Sequence, residues 1–228
     1  MRRIGIIAAM RPEMEIIMNE IEGLEECKEC GLVFYSGEIE GHEVVLTECG
    51  VGKVNAAMAA TMLISSFECN LIINTGIAGG VAPLSPRDVI VADKLIYHDV
   101  DVRIFGYPYG QVPGMPLTYT VDPNLLVLVR ATLNRLGISH KARSIYSGDQ
   151  FVTGVEKLEA VGAPRDCACE MEGTAIAHVC VKAGVDFLVL RFISDIVGEP
   201  SQIKDYQSFE TEMAELSAGI THKLISNL

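Results

Sequence analysis

Along the chain, short unbroken apolar runs alternate with longer stretches of helical spacing. Residues 4–10, Ile-Gly-Ile-Ile-Ala-Ala-Met, read as a buried strand ended by a turn. Pro12 suits a first helical turn, and Glu13-Met14-Glu15-Ile16-Ile17-Met18 carries that helix to about Ile21. Residues 33–39 and 43–49 form a predicted hairpin around Glu40-Gly41-His42. Gly50-Val51-Gly52-Lys53 leads into a helix with an expected apolar stripe of Val54, Ala57, Met58, Thr61 and Met62. A strand from Leu71 runs into the glycine-rich turn Gly76-Ile77-Ala78-Gly79-Gly80. Further strands are predicted over 88–93, 142–147 and 187–193, the last ending in Ser194-Asp195. Between them lie a helix from Pro123 to Leu136 and an apolar strand that closes on Glu170-Met171-Glu172 before an alanine-rich helix. The final helix, from about Tyr206, is expected to bury Phe209, Met213, Leu216, Ile220 and Leu224. This alternation implies a single-domain α/β protein over residues 1–228, a three-layer α/β/α sandwich with a central mixed sheet.

Composition narrows the partners. The net charge is −12 and the 18 basic residues are scattered singly, which argues against a polymeric nucleic acid but not against an uncharged nucleoside. No apolar run approaches a membrane span, and the start of the chain has no signal-peptide core, so a complete cytoplasmic protein is expected. Seven cysteines, an odd number, fit reduced thiols that serve as packing residues. Cys27 and Cys30 have metal-ligand spacing, but a structural zinc needs four ligands and only two are suggested. His98, Asp99 and Asp101 are too crowded on one segment to converge on a metal. Neither a metal nor a cofactor is expected.

The chemistry lies at predicted strand ends. Glu170 and Glu172 are two apart and would share a face of an extended segment. The plainer reading is that Glu172 opens a helix, where the dipole favours an acid. Glu13 and Asp195 also stand just beyond strands, at the edge where open α/β proteins place ligands. Carboxylates distributed in this way can protonate a leaving group, activate water and hold sugar hydroxyls. Cleavage of an N-glycosidic bond needs those three services. The Gly76–Gly80 turn lets a ligand approach the backbone, but no basic residue beside it makes a phosphate cradle.

At this point the motifs become recognisable. Asn74-Thr-Gly-Ile-Ala-Gly-Gly80, Phe105-Gly-Tyr-Pro-Tyr-Gly-Gln-Val-Pro-Gly114, Ser147-Gly-Asp-Gln-Phe151, Glu170-Met-Glu172 and Arg191-Phe-Ile-Ser-Asp195 give the chain its resemblance. It resembles, over essentially its full length, the methylthioadenosine/adenosylhomocysteine nucleosidase family of the nucleoside phosphorylase superfamily. The resemblance implies hydrolysis of the N-glycosidic bond, with Asp195 as the acid on adenine N7, held by Ser194. It implies Glu13 as the water activator, Arg191 as an aid in orienting that water, and Glu172 on the ribose hydroxyls with Met171 against the sugar. Phe151 would stack on adenine and the Val152 backbone would read the purine edge. Met10, Val51, Ile77, Ala78, Gly79, Cys169 and Glu170 would line the pocket. Phe105, Tyr107 and Pro113 match residues that a second subunit places around the 5'-alkylthio group, which implies a homodimer.

Two positions depart from the family. Ile77 stands where many relatives carry a serine that helps to hold the water, so activity is expected to be kept but tuned. Phe192 replaces a residue that is small in relatives. The competing readings are a sibling hydrolase acting on aminofutalosine or 5'-deoxyadenosine, a phosphate-dependent nucleoside phosphorylase, and a non-catalytic nucleoside-binding protein. Asn74-Thr75 occupies the place where phosphorylases carry a phosphate-binding arginine, which favours hydrolysis. A binding protein would be expected to lose Glu13 or Asp195, and both are present.

Overall fold

A computed structural model describes residues 2–228, the side chains of residues 12, 210, 211, 214 and 215 excepted. In chain order the elements are β1 (Arg3–Ala8), α1 (Arg11–Met18), β2 (Glu22–Glu29), β3 (Leu32–Ile39), β4 (His42–Glu48), α2 (Lys53–Ser65), β5 (Leu71–Thr75), β6 (Ile77–Gly80) and β7 (Val89–Tyr97). They continue with β8 (Tyr119–Thr120), α3 (Pro123–Arg135), β9 (Lys141–Ser147), α4 (Glu156–Ala160), β10 (Ala168–Glu170), α5 (Gly173–Ala183), β11 (Asp186–Ile196) and α6 (Gln202–Ile225). The strands form one mixed sheet in the order β2-β3-β4-β1-β5-β11-β6-β10-β9-β7-β8. Helices α2 and α5 pack together, as do α1 and α6, and the sheet lies between the layers.

Strand direction places the site. Strands β4, β1, β5 and β11 are mutually parallel. Strands β7, β9 and β10 run the other way, since β7 is antiparallel to β11 and parallel to β9, which is parallel to β10. The carboxyl ends of β1 and β5 therefore approach the carboxyl end of β10 near Gly76, where β5 gives way to β6. Long β11 spans both halves: Asp186–Val189 pair with β5, and Phe192–Ile196 with β6. Its core stretch, Phe187–Ile193, is buried on both faces, as a central strand should be.

Several local expectations need correction. Strand β2 has no apolar alternation and is exposed throughout. Backbone pairing with β3 alone defines it, and its charges suit a sheet edge. Helix α2 buries Ala56, Ala59, Ala60, Met62 and Leu63, whereas Val54 and Met58 of the expected stripe face outward. The helix is apolar all round, so its pattern carries no choice of face. Helix α6 starts at Gln202 rather than Tyr206, and Leu216 is exposed. Ser217 and Thr221 point inward instead, where their hydroxyls bond Thr75 at 2.5 and 2.9 Å. Cys27 and Cys30 are exposed, so only the other five cysteines pack inside.

Candidate active site

A pocket at the meeting of the strand ends is lined by Ala9, Met10, Glu13, Val51, Thr75–Gly79, Phe151, Cys169–Glu172, Arg191, Ser194, Asp195 and Tyr206. It gathers nearly all the expected residues. Val152 is buried and does not line it, nor do Phe105, Tyr107 or Pro113 of this chain. Among the described residues no group of His, Cys, Asp and Glu could hold a metal ion.

Glu13 owes its placement to backbone amides. It sits in the first turn of α1, and its Oε2 accepts the N–H groups of Ala9 (3.0 Å) and Met10 (3.2 Å) beyond β1. Oε1 accepts the Ile77 N–H at 3.2 Å. The Ile77 side chain thus offers no polar atom, but its backbone holds the carboxylate. A Cβ at Gly76 would stand 2.8 Å from Glu13 Oε1, so only glycine allows this approach. Burial pushes the Glu13 carboxyl up, against the opposing pull of Arg191 and the three amides.

Asp195 stands at the other end. Alternation would send Ser194 and Asp195 to opposite faces, but β11 bulges against β6 between Ile193 and Asp195. Ser194 Oγ then donates to Asp195 Oδ1 at 2.7 Å. Gln202 Nε2, from the first turn of α6, donates to Oδ2 at 2.9 Å, a contact that no sequence motif announced. Burial pushes this carboxyl up, although both hydrogen bonds favour its charged form. The side chain lies over Gly79, where a Cβ would meet Oδ2 at 3.2 Å. Glu13 and Asp195 thus lie against two glycines of one short segment, Gly76 and Gly79.

The same pocket holds the two glutamates and the arginine. Glu170 ends β10 and Glu172 occupies the N-cap of α5, so the pair does not share a strand face as expected. The capping role falls to Glu170, whose Oε2 accepts the N–H groups of Glu172 (3.0 Å) and Gly173 (2.8 Å). Glu170 also accepts from Ser147 Oγ and from the Arg191 guanidinium. Burial alone would raise its pKa, but the Arg191 charge and these donors hold the carboxyl below its ordinary value. Arg191 is fully buried and also donates to Asn74 Oδ1 at 2.5 Å, while its Nε has no partner among the described residues. The expected glycine-rich turn is strand β6 from Ile77 onward. No arginine directly precedes it in sequence, yet Arg191 comes beside it in space, since the Phe192 N–H bonds the Gly76 carbonyl at 3.0 Å.

Glu172 is differently placed. Its Oε1 accepts the Gly52 N–H at 2.8 Å, and its Oε2 stays 4.0 Å from Arg191. Burial and the neighbouring Glu170 charge push its carboxyl up to about 7. An acid whose pKa is higher folded than unfolded binds more protons when folded, so its ionisation erodes stability as pH rises from about 4.5 to about 7. Glu172→Gln should remove that slope, raising stability relative to the parent at pH 8 but not at pH 4. Urea denaturation at both pH values measures it, and an equal change at the two would contradict the assignment.

Comparison with known proteins agrees with this geometry. Residues 3–226 match the model of the phosphorylase superfamily. The 5'-methylthioadenosine/S-adenosylhomocysteine nucleosidase of Geobacillus kaustophilus (strain HTA426) is 41% identical over 226 residues, covering 97% of this chain and 96% of that protein. The S-adenosylhomocysteine nucleosidase of Streptococcus pyogenes, solved in complex with 5-methylthiotubericidin, superposes with a TM-score of 0.92 at 37% identity, covering 100% of this chain and 97% of that one. The futalosine hydrolase of Helicobacter pylori strain 26695 superposes with a TM-score of 0.93 at 32% identity, covering 100% and 98%. The chain belongs to the phosphorylase superfamily, in the family of the methylthioadenosine/adenosylhomocysteine nucleosidases.

Proposed function

We propose that residues 1–228 form one nucleosidase domain that hydrolyses the N-glycosidic bond of 5'-methylthioadenosine and S-adenosylhomocysteine to adenine and the 5-thioribose product. The observation that carries this reading is that Glu13, Glu172 and Asp195 line one pocket. Asp195, raised in pKa by burial, carries a proton to N7 of the leaving base while Ser194 orients it. Glu13 takes a proton from the attacking water, and Arg191 Nε, which bonds none of the described residues, is a donor available to that water. Glu172 binds the ribose hydroxyls and Met171 packs against the sugar. Phe151 and the Val152 backbone hold the purine, and Met10, Val51, Ile77, Ala78, Gly79, Cys169 and Glu170 complete the wall. The carboxylates favour a cationic ribosyl centre.

The same balance of charge speaks against phosphorolysis. Arg191 is the one cation among the described lining residues, and Glu170 already neutralises it. A phosphate would enter beside four carboxylates. Methylthioadenosine should therefore give free adenine and methylthioribose at equal rates in phosphate-free buffer and with excess phosphate. A phosphate requirement with a sugar 1-phosphate product would overturn the hydrolase reading. The likeness to the futalosine hydrolase makes aminofutalosine the second substrate to assay.

A homodimer is part of this proposal. Val54 on α2 is 79% exposed, and Ile104 and Phe105 are 88% and 76% exposed. Covering such apolar side chains is the usual task of a subunit interface. Phe105, Tyr107 and Pro113 would then reach the neighbouring pocket around the 5'-alkylthio group. Light scattering should give the mass of two chains, and a single-chain mass would exclude this arrangement. No helix among the described residues is long and apolar enough to cross a membrane. A cytoplasmic setting goes with the reading.

A further inference from the structure

Gln202 bonds a pocket residue, Asp195, in a way that the mechanism above does not use. It is the first residue of α6 and is only 4% exposed. Its Oε1 accepts the Gly198 N–H at 3.0 Å. That bond fixes which way the amide faces, because an amide nitrogen cannot accept it. The two hydrogens on Nε2 consequently meet two acceptors, Asp195 Oδ2 at 2.9 Å and the Val152 carbonyl at 2.9 Å. One primary amide thus bridges the carboxylate assigned to the base and the backbone group assigned to the purine edge. A planar NH2 group with two hydrogens and two acceptors is also the pattern of the exocyclic amine of a 6-aminopurine.

We propose that Gln202 is an intramolecular stand-in for the amine of the substrate's base, so that a 6-aminopurine binds by exchanging its own NH2 for that of Gln202. The inference rests on the nucleosidase reading, since without a purine at Asp195 there is nothing to exchange. The exchange nearly conserves hydrogen bonds at the protein. Each N–H···O bond lost from Gln202 is replaced by one from the ligand, and the net gain in affinity from these bonds is small. The exchange also touches the acid. The same oxygen accepts an N–H before and after, first from Gln202 and then from the base, so the exchange seats the base at Asp195 without changing the number of donors on the carboxylate. Tyr206, one turn along α6, packs edge-on against Phe151 with ring centroids 5.5 Å apart, so the first turn of α6 borders the same subsite.

The test is adenine binding measured by titration calorimetry on the full chain. Gln202→Met fills the space without a donor, and Gln202→Ala removes both volume and donor. With the internal competitor gone, adenine should bind roughly five- to tenfold more tightly to both, the scale expected for one or two net hydrogen bonds. KM for methylthioadenosine should fall by a similar factor while kcat moves less. In the unaltered protein, the side-chain amide protons of Gln202, identified by their loss in Gln202→Met, should shift when adenine saturates the site. Unchanged or weaker adenine binding in both variants, or an amide signal indifferent to adenine, would overturn the exchange. Failure of the unaltered protein to bind adenine or release it from methylthioadenosine would remove the nucleosidase reading and this inference together. Normal binding with unaltered affinity in the variants would remove the inference alone.

Discussion

The Asp195→Asn variant should hydrolyse methylthioadenosine with kcat lower by roughly two to four powers of ten, the usual worth of a positioned general acid. Asparagine keeps the shape of the side chain and can still accept from Ser194, which in the parent donates at 2.7 Å. It cannot deliver a proton. The parent should lose kcat as pH rises through the pKa of the acid, which burial holds above the ordinary carboxyl range. The variant should lack that limb, because no titrating acid remains at this position. Stopped-time assays across pH with a thermal melt as control separate chemistry from folding. A loss of less than tenfold in a folded variant would transfer the acid's role elsewhere.

Arg191→Leu should cost about 3–5 kcal/mol of stability at pH 8, the scale for stranding one partner of a buried ion pair. Glu170 is buried with it and relies on the guanidinium for its charge. Once Arg191 is gone, burial raises the Glu170 carboxyl, and the folded chain prefers it protonated. Folded-state pKa then exceeds unfolded-state pKa, so the destabilisation should shrink toward pH 5 and grow toward pH 8. The double variant Arg191→Leu/Glu170→Gln should recover part of the loss, since no charge is then stranded. Urea denaturation of the three proteins at both pH values gives the answer. A loss independent of pH, with no recovery in the double variant, would mean that Arg191 matters for its volume and not for its charge.

How much of this was legible in the sequence depended on the kind of force involved. Central strands such as β1 and β5 were visible because burial on both faces demands unbroken apolar runs. Strand β2 was not, because the neighbour's backbone holds it and leaves its side chains free to be charged. The pattern of α2 does not mark its buried face, since apolar residues lie on both sides, whereas α6 hides its inward side behind serine and threonine hydroxyls. In the site, Glu13, Glu172 and Asp195 stood at recognisable strand ends. Their partners were harder to see. Gln202 looks like any polar residue at a helix start, and only the fold brings it 2.9 Å from Asp195. Asn74 passed as a substitute for a missing arginine, while in space it steadies an arginine supplied by β11. The division of work between Glu170 and Glu172 likewise depends on where β10 ends, a boundary that two acids with one residue between them do not mark.

The way Glu13 is held has a consequence for how this pocket can change over generations. All three of its hydrogen bonds come from main-chain amides, at Ala9, Met10 and Ile77. Main-chain amides are carried by every residue except proline. Side chains at these three positions can therefore drift in size and polarity without releasing the carboxylate, and the chemistry is insulated from variation in its own walls. Only Gly76, pressed against the carboxylate, lacks that freedom. A family built this way can reshape its pocket for new nucleosides while the reacting groups stay where they are.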